Sequence, residues 1–238
     1  MEKDEELRPV DRAIRTYVLR AGRMTDAQRK ALKEEGPRYC VPVVAGSPFD
    51  WPAIFGNGHP VIAEIGFGMG QATWQLAAAH PELNYLGFEV HTPGVGKLLS
   101  QIADHGIENL RIVHHDAVEA FESVVPEASL AGLHVFYPDP WPKKRHHKRR
   151  LMRPGIIELL VSRLMPGAYL YFVTDVEEYA EWTLELLSHV PGMKNLHEGL
   201  APRQAWRPET KFEVRASRDG RGVYELLFER VDGGIKVT

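Results

Sequence analysis

Val61-Ile62-Ala63-Glu64-Ile65-Gly66-Phe67-Gly68-Met69-Gly70 is the stretch that decides the fold. Its first five residues form a short apolar run, consistent with a central parallel strand buried on both faces. Three alternate glycines follow, and glycine lets the backbone turn tightly and approach a ligand without a β-carbon in the way. Gln71 to Ala79 then suits a helix that stops before Pro81. Strand, glycine turn and helix in that order open an α/β domain.

The pattern continues downstream. Strands read at Tyr85 to Val90, Leu110 to His114, Leu133 to Tyr137 and Ala168 to Val173. Helices read at Gly94 to His105, Ala117 to Val125, Ile156 to Leu164 and Glu177 to Ser188. Such alternation implies a parallel sheet with helices on both faces. Lys211 to Ala216 and Val223 to Arg230 are strand-like runs around Ser217-Arg218-Asp219-Gly220-Arg221-Gly222, which predicts an antiparallel hairpin. A mostly parallel, seven-stranded sheet ending in an antiparallel hairpin resembles the Rossmann-like, class I methyltransferase fold. Upstream, Thr25, Asp26 and Gln28 mark the start of a helix through Lys33, since Thr25 can cap and Gln28 lies three residues on. Prolines and glycines from Gly36 to Pro60 predict an irregular connection. The chain therefore divides into a partly helical N-terminal extension, 1–55, and a main domain, 56–238.

The 238 residues suit one α/β domain with a modest extension. Net charge is −3, so any nucleic-acid contact must come from local clustering of cations rather than from the average. Cys40 is the single cysteine, which excludes an internal disulfide and a multi-cysteine zinc site. Met1 to Glu6 are too charged for a secretory signal, and no apolar stretch approaches a membrane span. The expectation is a soluble, cytoplasmic protein without a membrane partner.

The glycine spacing is G-x-G-x-G, whereas the dinucleotide fingerprint needs glycine where Gln71 stands. Alone, it also fits a tight turn with no ligand. Glu64, two residues before Gly66, is placed to meet the ammonium of a methionine moiety. Glu89 ends the second strand about 20 residues on, where a carboxylate accepts from both ribose hydroxyls. Asp116 closes the third strand and suits an adenine amine. Open α/β sheets bind ligands at this carboxyl edge. Three acids there would repel a pyrophosphate, so the charge pattern favours S-adenosylmethionine, a cation without phosphate, over a nicotinamide dinucleotide.

The fourth strand runs into Tyr137-Pro138-Asp139-Pro140-Trp141-Pro142. Prolines stiffen this loop and hold Asp139 in place. An acid beside an aromatic ring suits a flat heterocycle, with Trp141 stacking and Asp139 accepting from its N–H groups. Lys143-Lys144-Arg145-His146-His147-Lys148-Arg149-Arg150 and then Arg153 follow. A basic run is commonly a solvated face. Next to a base-binding turn in an acidic protein, it points to a phosphate backbone instead. The arginines between Arg12 and Arg23 offer a second contact. Asp175 ends the fifth strand, and Thr210-Lys211-Phe212-Glu213 reads as an ordinary strand start. Metal catalysis lacks support, because His114-His115 and His146-His147 are adjacent pairs that do not converge on one ion.

Together these motifs resemble the bacterial tRNA (guanine-N7)-methyltransferases. The resemblance covers Arg15, Arg20 to Arg23 and Thr25; Glu64 to Gly70; Gly87 to His91; and His115 to Ala117. It continues through Phe136 to Lys143 with the basic run, Thr174-Asp175 and Thr210 to Glu213. It implies methylation of a variable-loop guanine, position 46 in tRNA numbering. It also implies cofactor binding by Glu64, Gly66, Glu89, Asp116 and Asp139, with Asp139 the active-site acid. Lys143, Asp175, Thr210, Lys211, Phe212 and Glu213 would contact substrate, and Arg145, His146, His147, Lys148, Arg149 and Arg150 would contact RNA. Pro142 stands where some relatives have histidine. Monomer and homodimer are both compatible with the sequence. A methyltransferase for another RNA base, and a non-catalytic RNA-binding protein on the same fold, remain the rival readings.

Overall fold

The computed structural model describes residues 14–18 and 22–231. Arg12, Arg20 and Ala21, which carry part of the N-terminal pattern above, lie outside the described residues.

Helix α1 (Asp26–Glu34) starts at Thr25 with the expected capping box: Gln28 N–H donates to Thr25 Oγ1 at 3.2 Å and Thr25 N–H to Gln28 Oε1 at 2.8 Å. Two short helices follow, α2 (Gly36–Tyr39) and α3 (Trp51–Phe55), inside the segment expected to be irregular. Each carries a proline in its first turn, where a missing N–H costs nothing. The main domain then runs β1 (Val61–Ile65), α4 (Gln71–Ala79), β2 (Asn84–Phe88), α5 (Thr92–His105), β3 (Leu110–Val113), α6 (Ala117–Ser123) and β4 (Leu130–Phe136). After a six-residue 3-10 helix at Lys144–Arg149 come α7 (Ile156–Arg163), β5 (Leu164–Thr174), α8 (Glu177–His189), β6 (Met193–Asn195), α9 (Lys211–Arg218) and β7 (Tyr224–Arg230).

The sheet order is β3-β2-β1-β4-β5-β7-β6, parallel from β3 to β5, with β7 antiparallel to both β5 and β6. The expected antiparallel end is present, but its composition differs. Lys211 to Ala216 is helix, not strand. The alternation Phe212, Val214, Ala216 imitates a strand, yet only Ala216 is buried, and Thr210 Oγ1 accepts from Glu213 N–H as a helix cap. The outer partner of β7, opposite β5, is the three-residue β6 rather than the 211–216 segment.

Side chains alternate between two core layers. Ala63, Leu86, Leu133 and Leu170 pack on one face with Phe121, Leu160 and Tyr179 of α6, α7 and α8. Ile62, Ile112 and Tyr171 pack on the other with Leu76 and Leu98 of α4 and α5. Truncating a fully buried leucine such as Leu98 or Leu160 to alanine costs about 2–5 kcal/mol. On the second face α1 lies against α5, with the Gln28 amide donating to Pro93 O at 3.1 Å.

Candidate active site

The parallel strands all finish at one edge of the sheet, where a cleft of about 490 Å³ opens. Its wall includes Gly66 after β1, Glu89 after β2, Ala117 at the start of α6, and Tyr137, Pro138 and Asp139 after β4. Gly66, Gly68 and Gly70 have φ of 76°, 60° and 74°, a region open to glycine at little cost. Gly94 lets α5 approach this turn: a β-carbon there would lie 2.0 Å from the Gly68 carbonyl oxygen.

Glu89 knits the turn to the second strand. Its Oε2 accepts from Gly68 N–H at 2.8 Å, and its Oε1 from Val90 and His91 N–H at 2.8 and 2.9 Å. With Oε1 filled twice, Oε2 keeps the remaining acceptor capacity for a ribose hydroxyl. Asp116 sits between the cleft residues His115 and Ala117, and its Oδ1 caps α6 through Val118 N–H at 2.8 Å.

Glu64 is buried beneath the glycine turn rather than on the cleft wall. Among the described residues, its Oε2 has no hydrogen-bond partner. Burial pushes its pKa up to about 7, with nearby Thr73 easing the shift and the charge of Glu89 adding to it. The folded chain thus holds this proton longer than the unfolded one. Stability is therefore lost as pH rises from about 4.5 to about 7, by about 3 kcal/mol at full effect. A cation placed at Glu64 would reverse that loss. Without a ligand, Glu64→Gln should melt several degrees above the parent near pH 8, with the gap closing near pH 4.5; a gap independent of pH would contradict the buried charge.

The N-terminal segment roofs the cleft, a feature that sequence reasoning missed. Thr16, Tyr17 and Val18 line it, and Trp141 Nε1 donates to Thr16 O at 3.1 Å. Burial, then the charge of Asp116, holds the Tyr17 hydroxyl above its ordinary pKa, so Tyr17 stands beside the acid expected for adenine. Nothing in the local sequence marks Tyr17, because its partners lie about a hundred residues away.

The Asp139 turn is strained at both ends, with Tyr137 at φ 51° and Trp141 at φ 46°. Such non-glycine positions each cost about 1–3 kcal/mol and gather at functional sites. The basic segment divides. Lys143, Lys144, Arg145 and Lys148 are exposed, whereas His146, His147 and Arg149 are half-buried. Arg149 lies over the Trp141 ring at 4.7 Å, so one face of that ring is already covered. His147 sits edge-on to Trp182.

Arg150, expected to touch RNA, cannot. Its side chain is 0% exposed, bonded to Glu178 by both terminal nitrogens and, through Nε, to Pro140 O at 3.0 Å. The guanidinium also lies 4.7 and 5.2 Å from the rings of Tyr179 and Trp182 on α8. Arg150 therefore pins the Asp139 turn to α8.

On the far side of the sheet, α9 carries Phe212 into the cleft, stacked 5.5 Å from the Tyr137 ring. Glu213 is occupied by Arg203 at 2.8 Å and Arg207 at 2.7 Å. The fully buried Arg207 also holds Glu225 at 2.8 Å and the Tyr171 hydroxyl at 3.1 Å. Burial works against its charge, but Glu213 and Glu225 outweigh it and raise its pKa. Glu213 thus anchors α9, and its carboxylate is largely committed. Asp175 is paired with Arg221, while Lys143, Thr210 and Lys211 lie outside the cleft lining. Among the described residues, no cluster of His, Cys, Asp and Glu could hold a metal ion, and no helix is long and apolar enough to cross a membrane.

A protein family described as "Putative methyltransferase" matches residues 58–226. A tRNA (guanine-N(7)-)-methyltransferase of Aromatoleum aromaticum is 52% identical over 95% of this chain and 87% of its own length. That of Paraburkholderia xenovorans is 50% identical over 94% and 85%. Among solved structures, a variant of the 16S rRNA (adenine(1408)-N(1))-methyltransferase of Catenulisporales acidiphilia with its cosubstrate SAM superposes with a TM-score of 0.56. It is 19% identical and covers 82% of this chain and 99% of its own. The 16S rRNA methyltransferase KamB gives 0.53, at 16% identity over 92% and 99%. At such identities these two speak to the fold, a Rossmann-like methyltransferase architecture.

Proposed function

The chain belongs to the tRNA (guanine-N(7)-)-methyltransferases and transfers a methyl group from S-adenosylmethionine to a guanine N7 of tRNA, and we propose that the cleft beside Asp139 is where it does so. The observation that carries this reading is the junction in one cleft of Gly66 and Glu89 with Asp139, beside an exposed basic turn. Within the reading, the accepted guanine is that of the variable loop. Residues 1–55 form an extension available to tRNA, residues 56–238 the catalytic domain, and the cytoplasm the working compartment.

The residues fit the cofactor. Glu64 is a buried carboxylate with an unsatisfied oxygen, suited to a cationic ammonium. The glycine turn would admit the cofactor closely, Glu89 Oε2 would take a ribose hydroxyl, and Asp116, with Tyr17 beside it, would border the adenine. S-adenosylmethionine would supply an activated methyl: the N7 lone pair takes it as the sulfur–methyl bond breaks, the sulfur keeps that bonding pair as a neutral thioether, and the positive charge passes to the purine. No base is required before attack. The protein's task is position and charge. Asp139 accepts from the guanine N–H groups and offsets the charge that develops on the ring. Phe212, which lines the cleft where Trp141 does not, offers the aromatic contact for the base.

Arg145 and Lys148 contact phosphate in this account. Changing both to serine should weaken tRNA binding and make its salt dependence shallower by about 1.5 in log–log slope. S-adenosylmethionine affinity should be unchanged. An unaltered slope would remove the basic turn from the RNA interface.

A further inference from the structure

We propose that α9 is a second phosphate-binding arm, gripping the tRNA backbone on the side of the cleft opposite the basic turn. The proposal rests on the tRNA reading above and extends it to residues that reading leaves unused. Arg215 lines the cleft with Asp139 and Phe212, and its side chain is 68% exposed; that of Arg218, one turn on, is 75% exposed. Both point their charge at Asp219, at 3.6 and 3.4 Å, and Arg221 reaches the same carboxylate at 3.2 Å. Asp219, with Asp175 on Arg221, sets two acids against three arginines, so the patch keeps a net positive charge in a chain whose total is −3.

The helix beneath these arginines is fixed. Ala216 is buried, and Arg207 ties Glu213 to Glu225 and Tyr171 on the sheet face away from α8. The basic turn is fixed through Arg150 to α8 on the other face. Two anchored cationic segments therefore flank the guanine site, one over each face of the sheet. A base turned into the cleft has a phosphate on each side of its sugar, and a strand that continues in both directions meets both arms. Exposed arginines on a fixed helix suit phosphate oxygens, which they reach without reordering the backbone.

The test compares two variants for tRNA binding over a range of salt, with S-adenosylmethionine binding and melting temperature as controls on folding. Arg215→Ser with Arg218→Ser should weaken tRNA binding about 10-fold and reduce the log–log salt slope by about 1.5. Asp219→Asn, which removes the competing acid, should tighten tRNA binding by a few-fold. The Arg145→Ser, Lys148→Ser protein is run in parallel. An unchanged slope for the α9 pair beside a reduced slope for the turn pair overturns the second arm and leaves the site reading intact. Unchanged slopes for both pairs overturn the arm together with the RNA-facing reading of the cleft.

Discussion

Asp139→Ala should lower methyl transfer to tRNA by about 100-fold or more, with S-adenosylmethionine and tRNA affinities within a few-fold of the parent. A carboxylate near the purine gains most once the ring becomes cationic, so its removal is felt in the transition state more than in either bound ground state. Asp139 sits where this effect is largest, on a turn held by Pro138, Pro140 and two strained residues. Asp139→Asn keeps hydrogen bonding but loses the charge, and should fall between parent and alanine. Single-turnover rates and equilibrium binding separate the two contributions. Parent-like turnover in the alanine variant would remove Asp139 from the chemistry.

Arg150→Met should lower the melting temperature by about 8 °C and slow turnover without changing the salt slope of tRNA binding. The guanidinium makes three hydrogen bonds and lies against two aromatic rings in a site closed to water. The Glu178 side chain is 55% exposed, so little of the cost arises from stranding its charge. The loss of packing and of the Pro140 contact is about 3 kcal/mol, which in a chain of this size is a shift of several degrees. Arg145→Ser is the contrast: parent-like melting with weaker tRNA binding. A stable Arg150→Met protein with a shallower salt slope would return Arg150 to the RNA surface.

Much of the fold is legible where local signals agree with the tertiary setting. Pro60 and Gly66 bound β1, Gly70 and His80 bound α4, and both elements match their expected limits. The capping box at Thr25 places the start of α1 for the same reason. Lys211 to Ala216 carries a period-two pattern of apolar residues that reads as strand, although Thr210 and Glu213 spell a helix start. β6 has three residues and no alternation; pairing with β7 alone makes it a strand.

The site was legible as a set of strand ends, and less so as individual roles. Glu89 and Asp139 both stand in the cleft wall. Arg150 could not be told from its basic neighbours, because what separates it is Glu178, Tyr179 and Trp182 on a helix 28 or more residues away. Glu213 reads as a polar contact until Arg207 is seen to claim it. Tyr17 emerges only from the fold of the N-terminal segment across the cleft.

The most direct test of the account is to incubate the protein with S-adenosylmethionine labelled in its methyl group and a tRNA transcript free of modifications, then digest the tRNA and map the label. The account predicts 7-methylguanosine as the labelled nucleoside, at one guanine of the variable loop, with transfer nearly abolished in Asp139→Ala. Label on a different base, or no transfer with bound tRNA and bound cofactor, would contradict it.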